Sequence, residues 1–273
     1  MRRLIAENVT FSATALDIIH INFKNKRGVF LQSFDPSMHL IGLDISEYQG
    51  TVNFSKMKAN GASWVICRTY GTNHRNNGDT RFEQHVRNAR GAGLKIGTYY
   101  FATPKVPLDL QDARNQAQQF IDKIISGTGN TNDFGDLIPM LDIEDDTNHV
   151  REGQSILILT VTELIQWILE FRRYFEDATQ SRIGIYCSSF FWNEQMRGEL
   201  PTANPLKDMP LWIAEYTKYW PDGKKSPNNF GGWTSWHIWQ HSEDGKGQNW
   251  GCEAEKVDLN YSLSLEAICE KNI

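Results

Sequence analysis

Residues 139–146 read PMLDIEDD, an apolar run that ends in four carboxylates, Asp142, Glu144, Asp145 and Asp146. Like charges held so close repel, so the cluster is either solvated or put to use. Two more acids sit at comparable places: Asp44 ends the run HLIGLDIS (39–46), and Asp258 lies late in EKVDLNYS (255–262). Such a set suits glycosidic bond cleavage, which needs one carboxylic acid to protonate the leaving oxygen and a second group to stabilise or capture the oxocarbenium ion. Crowding raises the pKa of one member and keeps it protonated near neutral pH while the others stay ionised. Glu144, with the longer reach and with Asp44, Asp142 and Asp258 around it, is the expected acid. A D-x-E at a strand end is weak by itself, however, because it also serves structure, and several carboxylates would equally hold Mg²⁺ or Ca²⁺. We expect no metal and no cofactor.

The acids are positioned by the elements that carry them. Strand residues two apart share a face, so in IPMLDIE (138–144) Ile138, Met140, Asp142 and Glu144 point one way, and Leu141 with Ile143 the other. Asp145 and Asp146 have then left the strand and are solvated loop charges. Short apolar runs alternate with amphipathic segments along the chain, the pattern of parallel strands joined by helices. Strands are expected at 39–46, 63–70, 95–103, 138–144, 182–189, 210–216, 235–242 and 255–262. Helices are expected near 53–60, 81–93, 109–126, where Gly127 stops the run, and 155–178. Eight strands in a chiefly βα order favour a closed barrel, whose active site lies at the C-terminal ends of the strands.

Composition narrows the partners. Hydrophobic residues at 40 % and charged residues at 22 % describe an ordinary globular chain. A net charge of −5 argues against a nucleic-acid surface. No apolar run approaches the ~20 residues of a membrane span, and the N-terminus turns polar before a signal-peptide core forms. No HExxH, GxSxG or P-loop occurs, and the seven His are scattered. Among the four cysteines there is no CxxC spacing. Cys67 and Cys187 lie in strand-like runs and are expected as buried thiols, and a Cys252 to Cys269 bridge is the less favoured alternative to free thiols. Trp212, Trp236 and Trp239 suit a core better than a sugar platform.

From about 40 to 265 the chain resembles the glycoside hydrolase family 25 lysozymes, N-acetylmuramidases that cut peptidoglycan. The likeness runs in order through GLDISEYQG, NARGAGLKIGTYYF, PMLDIE, IGIYCSSFFW, LWIAEY, IWQ and VDLNY. It implies an irregular TIM-like (β/α)5(β)3 barrel that hydrolyses the β-1,4 bond from N-acetylmuramic acid to N-acetylglucosamine with retention. The family's four acids fall on Asp44, Asp142, Glu144 and Asp258. Glu144 would be acid and then base, and Asp142 would orient or polarise the substrate 2-acetamido group, whose carbonyl attacks the anomeric carbon unless an enzyme nucleophile does so. Asp44 and Asp258 would hold the charge balance of the site. Arg68, Tyr100, Tyr186, Trp212 and Gln240 are expected to bind substrate. The chain departs from the family pattern at Glu47-Tyr48, usually His-Trp, at Arg68, usually Lys, and at Tyr100, usually His. Other readings of the same acids are a catalytically silent glycan-binding barrel and a chitinase-like glycosidase.

Residues 1–38 precede the resemblance. Within them NVTFSAT, LDIIHINF and RGVFLQSF read as short strands, forming a β-rich extension to a catalytic barrel at 39–273. Packing on the barrel is the favoured role for this extension, ahead of self-association or wall contact. The expected setting is endolysin-like: synthesis in the cytoplasm, with action on the cell wall after holin release or specialised export.

Overall fold

The computed structural model describes residues 39–71, 78–144, 150–152, 155–157, 159–196, 204–216, 226–228 and 231–269. The strands expected within 1–38 lie outside the described residues, as do Asp145 and Asp146. Contacts divide the chain into two units, Met1–Ser33 and Phe34–Ile273, and every described residue belongs to the second.

In chain order the elements are β1 (Leu40–Ile45), α1 (Phe54–Ala59), β2 (Ala62–Tyr70), α2 (Phe82–Gly91), β3 (Lys95–Phe101), α3 (Leu110–Thr128) and β4 (Met140–Asp142). A small hairpin, β5 (Val150–Glu152) and β6 (Ser155–Leu157), leads to α4 (Val161–Thr179). Then come β7 (Gly184–Ser188), α5 (Ser189–Gln195), β8 (Leu211–Ala214), β9 (Ile238–Lys246), β10 (Lys256–Ser262) and α6 (Leu265–Cys269). Eight strands close a barrel in the order β1-β10-β9-β8-β7-β4-β3-β2. The first five barrel strands are each followed by an α-helix, and among the described residues no α-helix follows β8 or β9, as expected of a (β/α)5(β)3 barrel.

One strand runs backwards. β10 is antiparallel to both its neighbours, β1 and β9, whereas every other barrel pairing is parallel. With only residues 247–255 between them, β9 and β10 lack the length for a crossover that would return the chain to the other end.

Alternation along each strand sorts side chains between two compartments. Trp64, Ile66, Ile138, Met140, Trp212 and Ile238 fill the barrel. Leu43, Ile45, Val65 and Cys67 face outward onto Phe54, Met57, Phe82 and Val86, and Leu141, Ile143, Ile185 and Cys187 onto Phe120, Trp167, Phe171 and Phe175. Each such side chain contributes ~1.5–3 kcal/mol on burial, so a one-residue slip, which would exchange the two sets, is strongly disfavoured. Inside, the Trp64 ring lies where a side chain at residue 42 would be: a Cβ on Gly42 would come within 2.1 Å of it.

Helix ends differ from expectation where capping overrides composition. α3 begins at its cap Asp109, which accepts from the amides of Gln111 and Asp112, and runs through Gly127 to a left-handed Gly129 (φ 72°). Gly127 is tolerated because it makes room for Phe82, to which a Cβ there would come within 2.5 Å. α4 starts later than expected because Thr160 and Glu163 form a capping box, leaving 155–157 to the hairpin. No disulfide joins any of the four cysteines, so Cys252 and Cys269 are not bridged. Among the described residues no helix is long and apolar enough to cross a membrane.

Candidate active site

Asp44 at the end of β1, Asp142 and Glu144 at the end of β4, and Asp258 on β10 converge on one cavity of about 270 Å³ at the barrel mouth. Asp258 is not late in its strand. It is the third residue of β10, and because β10 is reversed, its beginning lies at the same mouth as the ends of the others, opposite Asp44 in the register. Asp142 and Glu144 reach the cavity by the alternation seen in the sequence, while Leu141 and Ile143 lie in the outer core.

Burial and crowding set the charge of these acids. Asp44 Oδ2 accepts from Gln240 Nε2 at 3.0 Å and Asn260 Nδ2 at 2.7 Å, and Asp258 also donates to the Asp44 carboxylate. Burial pushes the Asp258 carboxyl up to about 9, with the neighbouring Asp44 charge acting in the same direction, so Asp258 carries a proton at neutral pH. Asp44 is also raised by burial, but its three donors oppose the shift and keep it the better place for the negative charge. Asp142 is raised well above the usual carboxylate range, first by burial, then by the charges of Glu144 and Asp44, and it hydrogen-bonds to Glu144. Its Oδ1 is buried with no hydrogen-bond partner, a costly state unless a ligand supplies a donor. The acids therefore form two hydrogen-bonded pairs, Asp44 with Asp258 and Asp142 with the half-buried Glu144.

Of the residues expected to bind substrate, Arg68, Tyr186, Trp212 and Gln240 line this cavity. Tyr186 donates to Gln240 Oε1 at 2.9 Å, Tyr216 to the same atom at 3.1 Å, and Trp212 Nε1 to Asn260 Oδ1 at 2.8 Å. Trp212 is thus both barrel filling and cavity wall, whereas Trp236 and Trp239 belong to the outer core. Tyr100 is misplaced by the expectation. It points outward between Phe120 and Phe171 and donates to Gln119 Oε1, and the cavity residue of β3 is its neighbour Tyr99. Alternation decides this: Gly97, Tyr99 and Phe101 share the inner face, which the position of a single motif residue did not reveal. Asn260 was missed as well, although it lies two residues from Asp258 on the same face. Among the described residues that line the cavity Arg68 is the one cation, and its charge is already engaged by Asp79 at 3.2 Å and Glu47 at 3.6 Å. Among the described residues no His, Cys, Asp and Glu group is arranged to hold a metal ion.

The family model described as glycosyl hydrolases family 25 matches residues 43–250. The chain belongs to this family. Lysozyme M1 of Streptomyces globisporus is 30 % identical over 206 residues, covering 75 % of this chain and 62 % of that protein. The chain therefore spans less than two thirds of that relative. The crystal structure of the Clostridium perfringens spore cortex lytic enzyme SleM superposes with a TM-score of 0.73 at 35 % identity, covering 87 % of this chain and 71 % of that one. The bacterial lysozyme of Streptomyces coelicolor gives 0.62 at 26 %, covering 84 % and 96 %. The family 25 match begins inside β1, one residue before Asp44, and ends at Trp250, so Asp258 on β10 lies beyond it.

Proposed function

We propose that this family 25 chain is a peptidoglycan hydrolase, an N-acetylmuramidase that cuts the β-1,4 bond between N-acetylmuramic acid and N-acetylglucosamine. The observation that carries the reading is the convergence of Asp44, Asp142, Glu144 and Asp258 on one cavity at the barrel mouth, with Asp142 hydrogen-bonded to Glu144. Asp142 is the more deeply buried partner, and burial favours its protonated form. A substrate 2-acetamido N–H offered to the unpartnered Asp142 Oδ1 stabilises its ionised form, and the proton passes to Glu144. Glu144 then protonates the leaving oxygen. The acetamido carbonyl, oriented by Asp142, attacks the anomeric carbon, and water activated by Glu144 opens the resulting intermediate with net retention. Asp44, held by Gln240, Asn260 and the protonated Asp258, stabilises the positive charge that builds on the sugar ring.

Mass analysis of purified peptidoglycan after digestion tests the bond assignment. New reducing ends on N-acetylmuramic acid are expected, and new ends on N-acetylglucosamine would overturn it. The anomer released first, read by proton NMR on a soluble fragment, tests retention; an α product would exclude it.

A further inference from the structure

The segment after β1 holds an aromatic ring at the rim of the acidic cavity in an unusually constrained way. Glu47–Gln49 is a single 3-10 turn whose start is closed by a capping box: Ser46 Oγ accepts from the Tyr48 amide at 3.3 Å, and Gln49 Oε1 accepts from the Ser46 amide at 2.8 Å. The Tyr48 side chain lines the cavity yet is 61 % exposed. The Arg68 guanidinium lies over its ring, 4.8 Å from the centroid. That guanidinium is itself fixed. Asp79, with no exposed surface, accepts from Arg68 Nε at 3.3 Å and from the Glu47 amide at 2.8 Å, tying β2 to the turn. Glu47 pairs with Arg68 at 3.6 Å and accepts from Thr80 Oγ1 at 2.7 Å.

An exposed ring stabilises a fold little, since it removes little apolar area from water. Anchoring such a ring from its backbone and from one face does, however, lower the ordering cost of binding something to it. The flat C–H face of a pyranose is the complement of such a ring, and the cavity beside it contains the acids that would act on the next linkage. We propose that Tyr48 is a stacking platform for one pyranose of the glycan strand, and that Arg68, braced by Asp79 and Glu47, positions the ring rather than capturing a substrate anion. The inference rests on the glycan-cleaving function proposed above.

Two arms of one experiment separate the platform from that reading. In the first, reducing-end release from purified peptidoglycan is followed for the full chain. Tyr48→Ala is expected to raise KM about 5- to 10-fold with kcat within about twofold, the scale of one lost aromatic contact, and Tyr48→Trp to restore it. Glu47→Gln should raise KM less, and should add nothing in the Tyr48→Ala background, because it acts through the ring. In the second arm, co-sedimentation with the same walls compares Glu144→Gln with the double variant Glu144→Gln/Tyr48→Ala, which reads binding without turnover. Melting temperatures confirm that each variant is folded. A wild-type chain that releases no reducing ends would sink the hydrolase reading, and the sedimentation arm would still decide the platform. Unchanged KM and unchanged sedimentation in folded Tyr48→Ala would overturn the platform, as would a loss confined to kcat.

Discussion

Glu144 and Asp142 stand two residues apart on one strand, yet their surroundings separate their roles. Glu144 is half-buried at the mouth, and Asp142 is 4 % exposed beneath it. A Glu144→Gln chain keeps the shape but has no proton to give, so kcat on purified walls should fall by roughly 10²-fold or more, the scale of general acid catalysis. Near-normal turnover in the folded variant would remove Glu144 from that role. Asp258 makes a separate prediction about pH. The folded chain holds its proton up to about 9, whereas the unfolded chain releases it near the ordinary value of 3.8. Between those limits the native state binds more protons than the unfolded one, so this group's contribution to stability is full below about 4 and declines as the pH rises towards 9. Asp258→Asn keeps a donor for Asp44 and carries no titrating proton. Its melting temperature should therefore fall less than that of the wild type between about pH 5 and about pH 9. Parallel melting curves over that range would show that Asp258 carries no such proton.

The elements reach their positions through a few local decisions that can be tested one at a time. Gly42 on β1 is one: Gly42→Ala would place a methyl group 2.1 Å from the buried Trp64 ring. Neither a backbone strand nor an indole yields easily, so a loss of about 1–3 kcal/mol is expected from urea unfolding midpoints, the usual cost of overpacking. An unchanged midpoint would mean that the barrel interior has slack there. The Thr160 cap of α4 is another, since its hydroxyl accepts from the Glu163 amide and donates to the Glu163 carboxylate at 2.8 Å. Thr160→Ala should cost about 1 kcal/mol in the same measurement while leaving kcat unchanged, because the cap lies outside the acidic cavity.

At the scale of the whole molecule, closure by a reversed strand is what assembles the cavity. β10 supplies Asp258 to face Asp44, and Asn260 to bond it, from a strand that enters at the mouth instead of leaving there. Among the described residues, the cavity lining carries Asp44, Asp142, Glu144, Glu243 and Asp258 against the single cation Arg68. Burial and mutual repulsion raise Asp44, Asp142 and Asp258 above the usual carboxylate range, which lessens this excess of negative charge. Chelation with EDTA is accordingly expected to leave the hydrolysis of purified walls unchanged. A loss of activity that added Mg²⁺ or Ca²⁺ restores would revive the cation alternative for these acids.

The sequence by itself determined what depends on near neighbours. Alternation in IPMLDIE placed Asp142 and Glu144 together on the inner face, and the βα rhythm through the strand at 182–189 pointed to the barrel and the end at which its site would lie. The likeness to family 25 identified the four acids, and all four meet in one cavity. Tertiary structure decided what depends on partners distant in the chain. The reversal of β10 moved Asp258 from the late part of a strand to its early part, because strand direction follows from the connection and the pairing and leaves no mark on the alternation. The choice of Tyr99 over Tyr100 for the cavity was set by the pairing of β3 with β2 and β4. Asp79, eleven residues beyond Arg68 and outside every strand, became its brace only when the chain folded back, because an ion pair forms by proximity in space and no spacing in the sequence specifies it.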